Sequence, residues 1–332
     1  MPAARIGPAV PGNLLELWGE GWTCRQAYGS ARSALAALLR TRGVRRAWLP
    51  AYICPAVIDG LTTAGAEPCF YDVSTRLDCD LAEVERGAEA GDAVIGVAFF
   101  GRDIGAEFLD LRQRRPDLLW IEDRAQAADP SPAGRADAAI YSPRKLVGVA
   151  DGGLLFSSEA VAAPTLPAPD LWNPEDARAL DPAGYAPERW YGLFRDREAA
   201  VTTAPFATSA RALAALEGVA AAPMAKARRQ NWRRLAGRLS DYALWPDLDP
   251  DFTPLAFPIL TPDAADAVRA LAAERIWAPR HWPALRSAAE RFPEAHVLSR
   301  RLVSLPCDQR YGEADMDRVA DAVLRLLRPQ AR

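Results

Sequence analysis

The sequence predicts an α/β chain: a mostly parallel, mixed sheet with helices on both faces, followed by a smaller C-terminal α+β domain. Three observations predict it. Short apolar runs alternate with stretches of helical period through the first half of the chain. Residues 93–100 are apolar at consecutive positions rather than at every second one, as a strand covered on both faces requires. The last third, from Trp245, carries one further strand and two helices. A chain of 332 residues is long enough for one large core and a second, smaller unit. The division is expected at 1–225 and 226–332, with the N-terminal segment free to pack on the small domain.

The elements follow in order. Residues 30–42 form a helix: Ser30 suits the N-cap, Ala34, Leu35, Leu38 and Leu39 make one apolar stripe, and Gly43 ends it. Strands are expected at 44–49, 69–73, 93–100, 118–122, 138–141 and 153–157. Helices are expected at 55–64, 81–90 and 108–114. Residues 163–187 are rich in Pro, Ala and Asp without periodicity, and read as a long surface excursion over a pocket. A helical stretch is expected over 208–238, then a strand at 255–260 and helices at 263–274 and 315–327.

Bulk composition excludes several classes. The net charge is −3 and the arginines are dispersed among acids, which is not the basic footprint of a nucleic-acid binder. No apolar run is long enough for a membrane helix, and the start of the sequence leads into no signal core. The five cysteines include no Cys-x-x-Cys pair, so a disulfide framework or zinc site is not expected, and reduced thiols fit a cytoplasmic protein. The two histidines, His281 and His296, read as surface or packing residues, and no metal is expected.

The informative region is Tyr141-Ser142-Pro143-Arg144-Lys145, followed by Gly152-Gly153 and preceded by Ile121-Glu122-Asp123-Arg124-Ala125-Gln126. A serine three residues before a lysine, with an aspartate ending the preceding strand, is what pyridoxal 5'-phosphate needs. Lys145 can form a Schiff base with the cofactor aldehyde and later act as general base. Asp123 can pair with the pyridinium nitrogen, or it can simply cap the following turn. Ser142 either bonds the phosphate or serves the turn before Pro143. Arg144 is a phosphate ligand or a solvated charge. Gln126 is placed for the phenolic oxygen or serves one of the many other uses of a strand-end glutamine. Ser30, Ala31 and Arg32 open the first helix, where backbone N–H groups and the helix dipole favour an anion. Tyr52 either stacks on the pyridine ring or is a core aromatic. No Gly-x-Gly-x-x-Gly fingerprint follows the first strand, so a dinucleotide-binding reading fails.

These segments resemble the fold-type-I pyridoxal phosphate enzymes, and more narrowly the DegT/DnrJ/StrS-type aminotransferases. The likeness runs through Gly29-Ser30-Ala31-Arg32-Ser33-Ala34-Leu35, Leu49-Pro50-Ala51-Tyr52, Glu122-Asp123-Arg124-Ala125-Gln126-Ala127, the lysine loop from Ser142 to Gly153, and the late segment Leu305-Pro306-Cys307-Asp308-Gln309-Arg310-Tyr311. The chain departs from the family in three places: Ser-x-x-Lys is two residues tighter than usual, Asp151 stands where a glutamate is common, and Arg189-Trp190-Tyr191-Gly192 occupies the place of a Gly-x-Asn-x-Arg stretch. The resemblance implies an aminotransferase with an amino-acid donor, glutamate, and a keto acceptor, a nucleotide-linked keto sugar, with Trp190 and Tyr191 near the pocket mouth. It also implies a homodimer with small-molecule substrates and no nucleic-acid or membrane partner. Residues alone leave open another reaction on the same cofactor (elimination, dehydration or decarboxylation) and a non-catalytic cofactor-binding regulator.

Overall fold

A computed structural model describes residues 13–169 and 201–327, with Gly192, Leu193 and Asp196 between them. Residues 170–191, including Trp190 and Tyr191 and most of the expected surface excursion, lie outside the described residues.

The centre is an eight-stranded sheet. Its strands are β1 (Cys24–Tyr28), β2 (Arg46–Pro50), β3 (Glu67–Val73), β4 (Cys79–Asp80), β5 (Ala93–Val97), β6 (Leu119–Asp123), β7 (Ala138–Tyr141) and β8 (Gly153–Ser157), in spatial order β1-β8-β7-β6-β5-β2-β3-β4. The inner pairs β3/β2, β2/β5, β5/β6 and β6/β7 are parallel, and the pairs toward the two edges are antiparallel. This is the expected mixed sheet. Every residue of β5 and β8 is buried, because both faces of these strands are covered.

Helices connect the strands. Helix α2 (Ala31–Thr41), after α1 (Leu14–Gly19), is capped by Ser30, whose hydroxyl accepts from Ser33 N at 3.1 Å. Helix α3 (Pro55–Ala64) begins on a proline, whose missing N–H costs nothing there, and ends at Gly65 with φ +79°. Helices α4 (Ala82–Gly87) and α5 (Ala106–Arg114) are shorter and more exposed. The expected strand 93–100 stops at Val97. Phe99–Gly101 is a tight turn in which Phe100 takes a left-handed backbone, φ +56°. The expected helix over 208–238 is two helices, α6 (Ala210–Glu217) and α7 (Ala221–Leu239), broken at Gly218.

The C-terminal part holds the antiparallel pair β9 (Phe257–Leu260) and β10 (Leu302–Leu305), with α8 (Ala264–Ala273), α9 (Pro293–Arg301) and α10 (Glu313–Leu327). Helix α10 lies along α7, and Arg234 and Arg238 pair with Asp317 and Asp321 across them. The boundary drawn from the sequence, at 225/226, falls within α7. One apolar cluster runs from the sheet helices through Trp232 and Leu235 into Val303 and Val323, so the two parts share a continuous interior. A smaller cluster seats the N-terminal segment: Trp18 stacks on Tyr141 with ring centroids 4.5 Å apart, and its indole N–H donates to the Ala128 carbonyl at 2.6 Å. No helix among the described residues is long and apolar enough to cross a membrane.

Candidate active site

The cavity lies beyond the carboxyl ends of β5, β6 and β7, where open α/β sheets hold their ligands. Seven residues singled out from the sequence line it: Ser30, Ala31, Arg32, Asp123, Gln126, Ser142 and Lys145. Arg144 lines it as well. The eighth, Tyr52, does not. Its side chain is fully buried in an aromatic group with Phe99 and Trp282, and its hydroxyl donates to the His281 carbonyl. Tyr52 is thus a core aromatic, and Trp282 is the aromatic on the cavity wall.

Asp123 ends β6, where it caps the following turn and lines the cavity. Its Oδ1 accepts from Ala125 N at 2.9 Å, which caps the turn, and its carboxyl faces the cavity. Burial pushes its pKa above the usual carboxylate value, and the Lys145 ammonium only partly opposes that shift. The site therefore holds a carboxyl whose ionised form gains from a cation placed in the cavity.

Gln126 is buried, and its amide orientation follows from one contact. Phe100 N donates to Gln126 Oε1 at 2.7 Å, so the side-chain oxygen is taken. Its Nε2 is buried with no hydrogen-bond partner. A buried orphan donor is costly, and on a cavity wall it marks a place for an acceptor atom.

Three backbone segments come together beside the cavity. Ser30 and Ala31 open α2, and Gly152 pairs beside them through Gly152 N to the Gly29 carbonyl at 3.0 Å. Gly152 has φ +122°, which suits glycine. At Gly153 a Cβ would stand 1.9 Å from the Ser30 carbonyl carbon, so the glycine pair is a consequence of this close approach. Arg32 reaches back to the Val201 carbonyl at 3.1 Å, and the Ser30 and Ser33 hydroxyls both donate to the Thr202 carbonyl. Asp151, before the glycine pair, is buried and accepts from Ser209 N at the start of α6. Its role in the structure is to hold that helix end.

Lys145 sits on the short turn Pro143–Lys145 with its side chain exposed to the cavity. Glu122, next to Asp123, points the other way and is fully buried between Arg124 and Arg135 at 3.1 and 2.7 Å. The cavity-facing Trp282 and its neighbour His281 were not legible as site residues. They arrive from the C-terminal part, far along the chain, with no local pattern to mark them. The His281 ring bonds the Ser304 hydroxyl through Nδ1 at 2.7 Å. Burial, and secondarily the charge of Lys145, lower its pKa to about 4. His296 is a packing residue whose Nε2 donates to the Ser287 carbonyl at 2.9 Å. No group of three or more His, Cys, Asp or Glu that could hold a metal ion occurs among the described residues, and all five cysteines are unpaired.

No protein-family model and no curated protein matches the sequence. Solved structures do match over nearly the whole chain. A DegT DnrJ EryC1 StrS aminotransferase from Brucella abortus aligns over 98% of this chain and 91% of its own, with TM-score 0.64 and 19% identity. A putative sugar aminotransferase from Streptococcus pneumoniae, in its PLP form, aligns over 92% and 87%, with TM-score 0.69 and 16% identity. PseC from Helicobacter pylori, an aminotransferase involved in the biosynthesis of pseudoaminic acid, aligns over 95% and 89%, with TM-score 0.67 and 16% identity. The chain shares the fold of the DegT/DnrJ/StrS-type aminotransferases. Within that fold-type-I frame, the mixed sheet with its flanking helices and the smaller C-terminal α+β part agree with what the sequence predicts.

Proposed function

We propose that this chain is a pyridoxal 5'-phosphate-dependent aminotransferase acting on small molecules. One observation carries the reading: Lys145, Asp123 and Gln126, whose Nε2 is buried and unpartnered, line one cavity at the strand ends, beside a helix N-terminus that Gly153 holds at van der Waals contact. These residues fit the cofactor group by group. Lys145 Nζ would hold the aldehyde carbon. Asp123 would hold the protonated ring nitrogen, which returns to its carboxylate the charge partner that burial demands. Gln126 Nε2 would donate to the phenolic oxygen. Ser142, with the N–H groups that open α2, would take the phosphate. When bound, the cofactor supplies an aldehyde that captures amines and a ring that withdraws electrons. The chain's own work is to orient, to exclude water and to move a proton. Lys145 Nζ, when free, is the base that would carry a proton between two carbons.

The donor is proposed to be an amino acid, glutamate, and the acceptor a nucleotide-linked keto sugar. The support for the acceptor is the shared fold with a protein named a putative sugar aminotransferase. Turnover of a panel of nucleotide keto sugars tests it, and no turnover with a working donor removes the acceptor class. The active unit is proposed to be a cytoplasmic homodimer, since the cavity opens at one edge of the sheet domain and a second surface would keep water out. A monomer that holds full specific activity on dilution would rule that out.

The central test is chemical. Borohydride treatment of the yellow, cofactor-loaded protein is expected to fix the cofactor on Lys145. Attachment at Lys226, the other lysine in the sequence, would sink the assignment.

A further inference from the structure

The turn that carries Lys145 is gripped from behind by two residues with no place in the cavity. Arg228 lies in the middle of α7 and is 1% exposed. Its Nε donates to Gln309 Oε1 at 2.7 Å. One terminal nitrogen donates to the Pro254 and Leu255 carbonyls at 2.9 and 3.1 Å. The other donates to the carbonyl of Leu146 at 3.2 Å. Gln309 Nε2 donates to that same Leu146 carbonyl at 3.1 Å. A buried guanidinium is expensive without a carboxylate partner, and burial does pull the Arg228 pKa below the ordinary arginine value. Here backbone carbonyls and an amide from three separate segments absorb its donors. Asn231, one turn on, extends the same arrangement by donating to the Asp308 and Tyr311 carbonyls at 2.9 and 3.0 Å.

The geometry matters because Leu146 directly follows Lys145. The lysine turn is short, with Lys145 N, Leu146 N and Val147 N donating to Ser142 and Pro143 carbonyls at 3.1, 2.9 and 2.9 Å. A turn of this length has little rigidity of its own. Two donors on the Leu146 carbonyl fix the Leu146–Val147 peptide plane, one residue past the lysine, and both come from outside the sheet.

We propose that Arg228 and Gln309 are positioning residues for Lys145: they couple α7 and the late segment 305–311 to the lysine turn and hold its amine at the height of Asp123. This rests on the reading that Lys145 carries the cofactor. Arg228 is shared between the turn, the 254–255 loop and Gln309, so a movement of any of these segments is transmitted to the lysine. The device gives the C-terminal part a mechanical hold on the reacting amine without contributing an atom to the cavity.

Two variants test it in the full chain. Gln309→Leu removes one donor from the Leu146 carbonyl and the acceptor from Arg228 Nε. Arg228→Lys keeps a charge but cannot reach all four acceptors. Hydrogen–deuterium exchange is read in the cofactor-free protein at the Leu146 and Val147 amides. Each variant is expected to speed exchange there about tenfold or more, while amides of β5 and β6 keep wild-type rates. In the loaded enzyme kcat should fall about tenfold or more with the donor KM within about twofold, since only the reacting amine is misplaced. Unchanged exchange at Leu146 and Val147 overturns the proposal. So does exchange that rises equally in β5 and β6 with a lower unfolding midpoint, the mark of a merely structural cluster. The exchange readout needs no cofactor, so failure of the grip is told apart from failure of the Lys145 assignment. Borohydride labelling away from Lys145 would remove that assignment and the positioning role with it.

Discussion

Gly153→Ala asks most of this structure. The added Cβ would lie 1.9 Å from the Ser30 carbonyl carbon, 2.1 Å from its oxygen and 2.2 Å from Ala31 N. Carbon atoms in contact prefer about 3.5–4.0 Å, so β8 and the start of α2 must separate by roughly 1.5 Å. Neither side yields easily. Every residue of β8 is buried, and the N-cap of α2 is fixed by Ser33 N and the Thr202 carbonyl. Overpacking a core with side chains costs about 1–3 kcal/mol. Here both neighbours are backbone, so about 3 kcal/mol is expected, read as a lower urea midpoint of the cofactor-free protein. On the proposed reading, the same displacement moves the Ser30 and Ala31 N–H groups away from where the cofactor phosphate would sit. Losing two such bonds weakens pyridoxal phosphate binding by about a hundredfold, measured by fluorescence quenching. Gly237→Ala serves as control: it sits within α7, where an added methyl would have no atom within 4 Å, and should stabilise by up to about 1 kcal/mol. Wild-type stability and affinity in Gly153→Ala would refute the close approach and, with it, the proposed phosphate site.

Three further outcomes follow from the site. Burial raises the Asp123 pKa, so the folded state binds that proton more tightly than the unfolded chain; the resulting stability is present below the ordinary carboxyl value of 3.8 and is lost as pH rises through the raised one. Asp123→Asn should therefore make the cofactor-free protein more stable than wild type at pH 7 while abolishing turnover, and urea midpoints that fall below wild type at that pH would contradict it. Gln126→Leu removes the orphan Nε2 along with the Phe100 contact, and is expected to weaken cofactor affinity by about 1–2 kcal/mol; equilibrium dialysis showing unchanged affinity would break the link to the phenolic oxygen. Glu122→Ala leaves Arg124 and Arg135 without their buried partner and should cost about 3–5 kcal/mol by urea unfolding, whereas a loss under about 1 kcal/mol would mean that Asp103 alone satisfies both arginines.

The sequence by itself determined the parallel centre of the sheet and most of the polar residues that line the cavity. The apolar runs at β5 and β6 are continuous because both faces are covered, and that continuity is a local property of the chain. Asp123, Gln126, Ser142 and Lys145 were legible because strand ends and the loops after them lie close together in sequence, and because Ser30 precedes a well-marked helix stripe. Tertiary structure decided the rest. Strand β1 carries no strong alternation and exists through its antiparallel pairing with β8. Tyr52 could face either way from its sequence position, and packing against Phe99 and Trp282 turned it into the core. Trp282, His281 and the grip of Arg228 and Gln309 on Leu146 join segments separated by long stretches of chain. No periodicity records such a meeting, because a hydrogen bond to a backbone carbonyl asks nothing of the residue that owns it. Leu146 could be almost any residue and still be held.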